Sequence, residues 1–395
     1  MKKKVVLAYS GGLDTSVAIK WLKLRGYDVI AYMADVGQFS SSKNAKERAF
    51  KAGASRIIIE DLKKDFLEEY VFQTLKAGAV YEGEYYLATA LSRPIIAKGV
   101  VKAALKLKAT SVSHGCTGKG NDQVRFETTF TSLAPQLEII APVREWELKT
   151  REEEIKYAKK HNIPIEVTKK SPYSLDSNLW GVSIEGGRLE NQNVEPDEDA
   201  YQITKSPAAA PNKPVCLTIS FEKGVPVKLN GATLSSIKLV AMLNQIGGTH
   251  GIGRCDLIEN RLVGIKSREI YENPAATILH KAHNTLEALV LDRETLHFKK
   301  MMSLKYAELV YYGLWFTPLR EALDKFVDET QKFITGDVKV KLFKGNITVA
   351  GRNSKYSGYI KELATYGEGD VFDSSLAKGF LRLWALPYAG KVKIK

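Results

Sequence analysis

The sequence predicts an α/β protein in three parts: a parallel-sheet domain over residues 1–166, a mixed α+β domain over residues 167–360 and a helical arm over residues 361–395. The first part is defined by short apolar runs of strand type that alternate with stretches whose apolar residues recur at helical spacing. Such alternation builds βαβ units, whose strands lie parallel with helices on both faces. The second part is marked by a change of pattern. A proline-rich stretch without apolar period, residues 194–214, gives way to strands paired around turns and to long helices.

Each element follows from its residues. KVVLAYS, residues 4–10, is an apolar run that stops at Gly11-Gly12. DTSVAIKWLKLRG sets Val17, Ile19, Trp21, Leu22 and Leu24 on an amphipathic helix closed by Gly26. YDVIAYMADVG reads as a strand, KNAKERAFKAG as a helix, RIIIED as a strand and KKDFLEEYVFQTLKAG as a helix. PIIAKGVVKAALKLKA is a helix leading into the strand TSVSHG, whose carboxyl end runs into a second glycine-rich segment. LEIIAPVREW and REEEIKYAKKHNIPI add a strand and a helix. Beyond residue 215, CLTISFEKGVPVKLNG and DLIENRLVGIKSREIY read as strands, and KVKVKLFKGNITVAGRNS as a hairpin. TLSSIKLVAMLNQIGG and NPAATILHKAHNTLEALVLDRETLHFKKMMSLKYAELVYYG read as helices. The tail SSLAKGFLRLWALPYAG is an amphipathic helix whose leucines and aromatics suit packing on a neighbouring subunit.

Composition narrows the function classes. A chain of 395 residues exceeds what one core organises, so two domains and an appendage are expected. There is no apolar run of about 18 residues and no secretory leader, which argues against a membrane partner and for the cytoplasm. Cys116, Cys216 and Cys255 are odd in number and widely spaced, so they read as reduced thiols. The net charge of +13 invites a nucleic-acid reading. The basic residues, however, are interleaved with acids, as in KTREEEIKYAKKH, and form no stripe with aromatics. A solvated mixed-charge surface, or a field that draws in small anionic substrates, accounts for them without a nucleic-acid partner.

The segment AYSGGLDTS, residues 8–16, carries the first chemistry. A strand that ends in Ser10-Gly11-Gly12 and feeds a helix places backbone N–H groups, clear of side chains, at the positive end of that helix. Ser10, Thr15 and Ser16 add hydroxyls, and Asp14 adds a carboxylate suited to a divalent ion or to orienting the loop. Local physics leaves two readings open: a Gly-Gly turn capped by Asp and Thr, or a phosphate cradle. The spacing is neither GxxxxGK[ST] nor GxGxxG.

SGGLDTS after the first strand resembles the pyrophosphatase loop of the N-type ATP pyrophosphatases, the adenine nucleotide alpha hydrolase-like group that cleaves ATP between the α and β phosphates. Together with YMADVGQ, HGCTGKGNDQVRFE, SPYSLDSNLWG and ENRLVGIKSREIYENPA, it resembles the argininosuccinate synthases over residues 5–320. That resemblance implies a ligase of arginine biosynthesis with an N-terminal nucleotide-binding domain and a synthetase domain. The ureido oxygen of citrulline takes AMP from ATP, pyrophosphate leaves, and the aspartate amine then displaces AMP to give argininosuccinate. It implies ATP as substrate with Mg2+, a homotetramer, and no dedicated acid or base, with Asp14, Asp122 and Arg125 positioning the reactants.

Position by position, the resemblance assigns ATP to Ala8, Tyr9, Ser10, Gly11, Gly12, Leu13, Asp14, Thr15 and Ser16, with Ala34 on the adenine side and Gly115 completing the site. It assigns aspartate to Thr117, Asn121 and Asp122, and citrulline to Tyr85, Asn121, Arg125, Ser174, Ser183, Glu259 and Tyr271. The chemistry of TGKGND fits: neutral donors suit the carboxylates of a dicarboxylate amino acid, and one acid suits its ammonium. A local Asp122–Arg125 ion pair is the competing reading of those two residues. Lys119, between glycines, is a candidate for reaching the phosphates.

Two positions depart from the family pattern. Ala90 stands where relatives carry a serine that contacts citrulline, with Thr89 as a possible substitute, and FSSSKNAKERAF replaces a more acidic stretch. IGGTHGIGR follows a helix, so it reads as a tight connection. His280 and His283, three apart on a helix, read as surface or interface residues and not as metal ligands. An RNA-modifying ATP pyrophosphatase and a non-catalytic sensor on the same scaffold are the rival classes. The first lacks a catalytic cysteine pair or appended basic domain here, and the second does not account for two intact motifs.

Overall fold

The computed structural model describes residues 3–39, 44–164 and 172–391. Positions 40–43 of the divergent FSSSKNAKERAF segment and the predicted domain boundary at residues 166/167 lie outside the described residues.

The N-terminal part begins with β1 (Lys4–Ala8), α1 (Leu13–Leu24), β2 (Asp28–Asp35), α2 (Ala45–Ala52) and β3 (Arg56–Asp61). A helical stretch follows, α3 (Lys63–Asp65) and α4 (Phe72–Ala77) joined by a π turn over Phe66–Val71. Then come α5 (Ala88–Lys106), β4 (Ser111–Ser113), α6 (Asp122–Leu133), β5 (Glu138–Ile140), α7 (Pro142–Glu145) and α8 (Arg151–Lys160). The five strands are parallel in the order β3-β2-β1-β4-β5. Strand order therefore reverses between β1 and β4, and a crevice opens at their carboxyl ends.

Alternation along β1 shows why this sheet is covered on both sides. Val5 and Leu7 join the core formed with Val17, Ile19 and Leu22 of α1, while Val6 joins the core of α5 and the π turn. α5 lies against β2 because Gly99 has no side chain. A Cβ there would sit 1.9 Å from the Tyr32 hydroxyl. α5 starts six residues before the predicted Pro94, which lies inside it. Its first turn is held by the Tyr85 hydroxyl, which accepts the N–H groups of Thr89 (3.1 Å) and Ala90 (3.2 Å). A tyrosine three residues ahead of the helix thus supplies the cap that the helix's own residues lack.

The second part holds two antiparallel sheets. One has the order β11-β12-β7-β6, from β6 (Ser174–Asn178), β7 (Gly181–Glu185), β11 (Arg254–Asn260) and β12 (Lys266–Glu272). The other has the order β10-β9-β8-β13-β14, from β8 (Val215–Glu222), β9 (Val225–Leu229), β10 (Ala232–Thr233), β13 (Gly336–Phe343) and β14 (Asn346–Asn353). Helices α9 (Ser236–Thr249), α10 (Pro274–Val290), α11 (Arg293–Tyr311) and α12 (Pro318–Gln331) pack between them, ahead of α13 (Lys361–Ala364) and α14 (Leu376–Ala385). IGGTHGIGR is the predicted tight connection: a Cβ at Gly253 would lie 2.6 Å from the backbone of Asn273.

The proline-rich 194–214 stretch is irregular but anchored. The N–H groups of Gln202, Ile203 and Thr204 converge on the buried carboxylate of Glu272 at 2.6–3.0 Å. His280 and His283 are not surface residues. Both are buried on the inner face of α10, where His280 packs on Tyr86 and Trp180 and the Nε2 of His283 meets Gln331 at 2.9 Å. The helical period, which also buries Ala276 and Leu279, turns this face inward.

Burial first, and then the charges of His283 and Lys299, hold the His280 imidazole down at about 3. The fold binds its neutral form. The stability this confers is whole above its ordinary value of 6.5 and is lost as pH falls toward 3. Replacing His280 with Phe should flatten the acid limb of the stability curve between those pH values by about 1.4 kcal/mol for each unit of displacement, read from urea unfolding across pH.

Candidate active site

The crevice at the β1/β4 switch point opens into a cavity of about 740 Å3 whose far wall is the β11-β12-β7-β6 sheet. The two walls differ in chemistry because the local sequences that build them differ.

On the first wall, Gly11 adopts φ +83°, a left-handed conformation open to glycine, and lets the chain turn from β1 into α1. The Ser10 and Thr15 hydroxyls meet at 3.1 Å at the mouth of the loop, and the Gly12 N–H donates to Ser10 Oγ at 3.3 Å. The first N–H groups of α1 have no partner within the helix, so the loop presents donors and the positive helix end to the cavity. Gly115, just beyond β4, faces this loop: a Cβ there would lie 2.7 Å from Thr15 Cγ2. Ala8, Tyr9, Leu13 and Ala34 complete this part of the lining.

Two predicted loop residues face elsewhere. The Ser16 hydroxyl donates to the Gly12 carbonyl at 2.7 Å and is buried, which makes it a staple of the turn. Asp14 faces Glu154 on α8. Burial, and then the neighbouring Asp14 carboxylate, push the Glu154 carboxyl up to about 8, and its buried Oε2 has no hydrogen-bond donor.

The second wall follows from a period of two. In β6 and β7, Ser174 pairs with Glu185 and Asp176 with Ser183, so all four side chains share one face of the hairpin. Tyr271 of β12 pairs with Ser183 and extends that face, which Glu269 and Glu259 also share. These side chains line the cavity, while Val182, Ile184 and Ile270 fill an apolar core on the other face.

Glu259 is buried and held by two tyrosines, accepting Tyr271 Oη and Tyr311 Oη at 2.6 Å each. Arg261 pairs with Glu185 and with Glu269 (2.6 Å). Burial, then the charges of Glu259 and Glu185, push the Glu269 carboxyl up to about 8 against the pull of Arg261. Its proton is therefore held more tightly than that of an ordinary carboxyl.

Between the walls stands the segment from Thr117 to Arg125. Asn121 Nδ2 donates to Tyr311 Oη (2.8 Å) and its Oδ1 accepts the Leu262 N–H (2.9 Å), so this amide pins the segment to the second domain and keeps one N–H free of those bonds. Arg125 Nε donates to the Tyr311 carbonyl (3.0 Å) and Nη1 to Asp122 (2.9 Å), the ion pair that the sequence allowed. Asp122 also receives Arg93 Nε at 2.9 Å. Burial pushes the Asp122 carboxyl up, but Arg93 and Arg125 outweigh it and hold it below the usual carboxylate range. Tyr85 lines the cavity beneath, its hydroxyl raised by burial.

Of the residues that the sequence assigned to substrates, the cavity gathers all except Asp14 and Ser16. Lys119 is exposed and outside the lining. Thr89 lines the cavity beside Ala90, and its hydroxyl meets Ser183 Oγ at 2.9 Å. Sequence reasoning missed Arg93, Asp176, Glu185, Arg261 and Glu269. The signal lay in S-x-D, S-x-E and E-x-Y, polar residues at strand period where a single sheet face is polar.

A parallel 3-2-1-4-5 sheet with a glycine-rich loop at its switch point is the arrangement of a doubly wound nucleotide-binding domain. Residues 4–164 match the family model described as Arginosuccinate synthase N-terminal HUP domain, and residues 173–390 match the Arginosuccinate synthase C-terminal domain. The chain is 57% identical over 388 residues to the argininosuccinate synthase of Carboxydothermus hydrogenoformans, covering 98% of this chain and 97% of the relative. It is 56% identical to that of Aquifex aeolicus, with the same coverage, and 52% identical to that of Endomicrobium trichonymphae, over 98% and 94% of the two chains. The chain belongs to the argininosuccinate synthase family.

The close approach at Gly115 makes a specific demand. Gly115→Val should push Thr15 and its loop out of place and weaken ATP binding about tenfold, measured by titration calorimetry, while the thermal midpoint changes little.

Proposed function

We infer that the protein ligates citrulline to aspartate at the expense of ATP, releasing AMP and pyrophosphate and forming argininosuccinate for arginine biosynthesis. The observation that carries this reading is one cavity with an anion-binding loop on one wall and a polar, acid-rich sheet face on the other, bridged by Asn121, Asp122 and Arg125. A triphosphate and two amino acids need these three environments at once.

In this reading the α1 loop from Ala8 to Thr15 cradles the triphosphate, Ala34 lies beside the adenine, and Gly115 closes the loop from the far side. Citrulline lies along the sheet face. Its ammonium meets Glu259, its carboxylate meets Arg125, and its ureido group reaches Ser174, Ser183, Tyr85 and Tyr271 as hydroxyl partners. Thr89, hydrogen-bonded to Ser183, takes the place of the serine that Ala90 replaces. Aspartate lies by Thr117, Asn121 and Asp122, with its ammonium at the Asp122 carboxylate that two guanidinium groups keep charged.

The first step is displacement at the α-phosphorus by a neutral ureido oxygen, which asks the protein for alignment and for stabilisation of charge on the phosphates. The helix end and loop N–H groups supply both. Among the described residues no cluster of three or more His, Cys, Asp or Glu side chains forms a metal site. Mg2+ typically takes one or two carboxylates and fills its shell with water and phosphate oxygens. Asp14 is the carboxylate of the loop, and it would hold the ion only after turning from Glu154 toward the cavity. Bound there, Mg2+ would neutralise phosphate charge.

No helix among the described residues is long and apolar enough to cross a membrane. A cytoplasmic homotetramer is the assembly we propose. α14 presents Leu376, Phe380, Leu383 and Trp384 to solvent, each more than half exposed, which suits burial against another subunit.

Omitting substrates one at a time tests the reading. Pyrophosphate release should require both ATP and citrulline. Release that proceeds unchanged without citrulline would mean that some other nucleophile takes the AMP.

A further inference from the structure

One row of the second wall runs Tyr271, Ser183, Asp176 across β12, β7 and β6. Asp176 ends that row nearest α5. Its side chain is 33% exposed, toward the cavity, and it is paired with Arg93. The same guanidinium reaches Asp122 through Nε at 2.9 Å and Nη2 at 2.8 Å. A single Arg93 side chain, itself 16% exposed, therefore ties a carboxylate of the sheet to the one at the start of α6. Asp176 stands between Asp122, read above as the partner of the aspartate ammonium, and Ser183, read above as a partner of the ureido group.

The second chemical step needs a base at that place. An α-ammonium has no lone pair, so aspartate must lose a proton before its nitrogen can attack the activated ureido carbon. Asp122 is unsuited: Arg93 and Arg125 both bind it and hold its carboxyl down. Among the described residues Asp176 meets the shared Arg93 and the Thr89 hydroxyl. Burial raises its carboxyl, Arg93 opposes the rise, and the charge of Asp122 adds to it. The groups that face this pair are Arg93 from α5, Asp122 from α6 and the Cys116 thiol after β4. Burial and the neighbouring carboxylates raise that thiol, so it stays neutral and does not compete for the proton.

We propose that Asp176 is the general base of the ligation step, taking a proton from the aspartate α-ammonium while Arg93 positions its carboxylate beside the nucleophile. The proton passes from nitrogen to Asp176. The freed lone pair forms the C–N bond to the ureido carbon, and the C–O bond to AMP breaks with its electron pair leaving on the phosphate oxygen. The second N–H proton departs with the phosphate, and the product guanidinium keeps its positive charge. The inference rests on the substrate placement of the preceding subsection.

The two half-reactions separate the inference from its foundation. Wild-type protein should exchange labelled pyrophosphate into ATP with citrulline and without aspartate, and absence of that exchange would remove the substrate placement itself. Asp176→Asn should keep that exchange within about threefold. It should slow the single-turnover reaction of the preformed adenylate with aspartate by about 10²- to 10⁴-fold at pH 7. Its ligation rate should then climb about tenfold per pH unit toward pH 9, because solvent must supply the neutral amine, whereas the wild-type rate stays level. Asp176→Glu, which keeps a carboxyl, should restore the level profile. Wild-type ligation by Asp176→Asn, loss of exchange and ligation together, or a Glu variant as steep in pH as the Asn variant would each overturn the assignment.

Discussion

Strand order is the constraint on which the site depends. Because β1 lies at the centre of a 3-2-1-4-5 parallel sheet, the chain leaves β1 toward one side and β4 toward the other. No connection covers the carboxyl ends of that strand pair. The open edge receives the two segments that need backbone exposure, the Gly11-Gly12 turn and Gly115. Their mutual approach leaves no space for a side chain at Gly115. A ligand held there meets N–H groups and a helix end, a field fixed in advance and needing no reorganisation when charge moves onto phosphate.

The second domain supplies what a phosphate cradle lacks. Its four-stranded sheet buries Val182, Ile184 and Ile270 on one side, so pleating alone obliges Ser183, Glu185, Glu269 and Tyr271 to face the other. The resulting acidic wall is kept in place by the Arg261, Arg93 and Arg125 guanidinium groups, each shared with carboxylates or backbone. Burial and neighbouring acids raise the Glu269 carboxyl against Arg261, while Arg93 and Arg125 hold Asp122 down, so two carboxyls of one cavity are shifted in opposite directions. Asn121 and Tyr311 clamp the bridging segment to this wall, which couples the N-terminal sheet to the second part of the chain across the cavity.

Much of this was legible before the structure. Apolar periodicity located every strand of the N-terminal sheet, and the glycine-flanked motifs located the cavity. The misses have physical causes. α5 begins ahead of Pro94 because Tyr85 caps it through space, a contact that no local pattern records. His280 and His283 look polar in sequence, yet their aromatic faces pack on Tyr86, Trp180 and Phe221. Arg93 and Asp176 lie 83 residues apart and Arg93 and Asp122 lie 29 apart, so their shared ion pair emerges only when α5, α6 and β6 converge. Asp14 is the reverse case: its motif points to the phosphates, but the fold turns its carboxylate toward Glu154.

The central claim is that the loop and the polar sheet face present ATP and citrulline to one another so that the ureido oxygen attacks the α-phosphorus. Citrulline labelled with 18O in its ureido group tests this directly. The account predicts one labelled oxygen in the AMP formed and none in pyrophosphate, read by mass spectrometry. Label retained in the amino-acid product, or found in pyrophosphate, would contradict it.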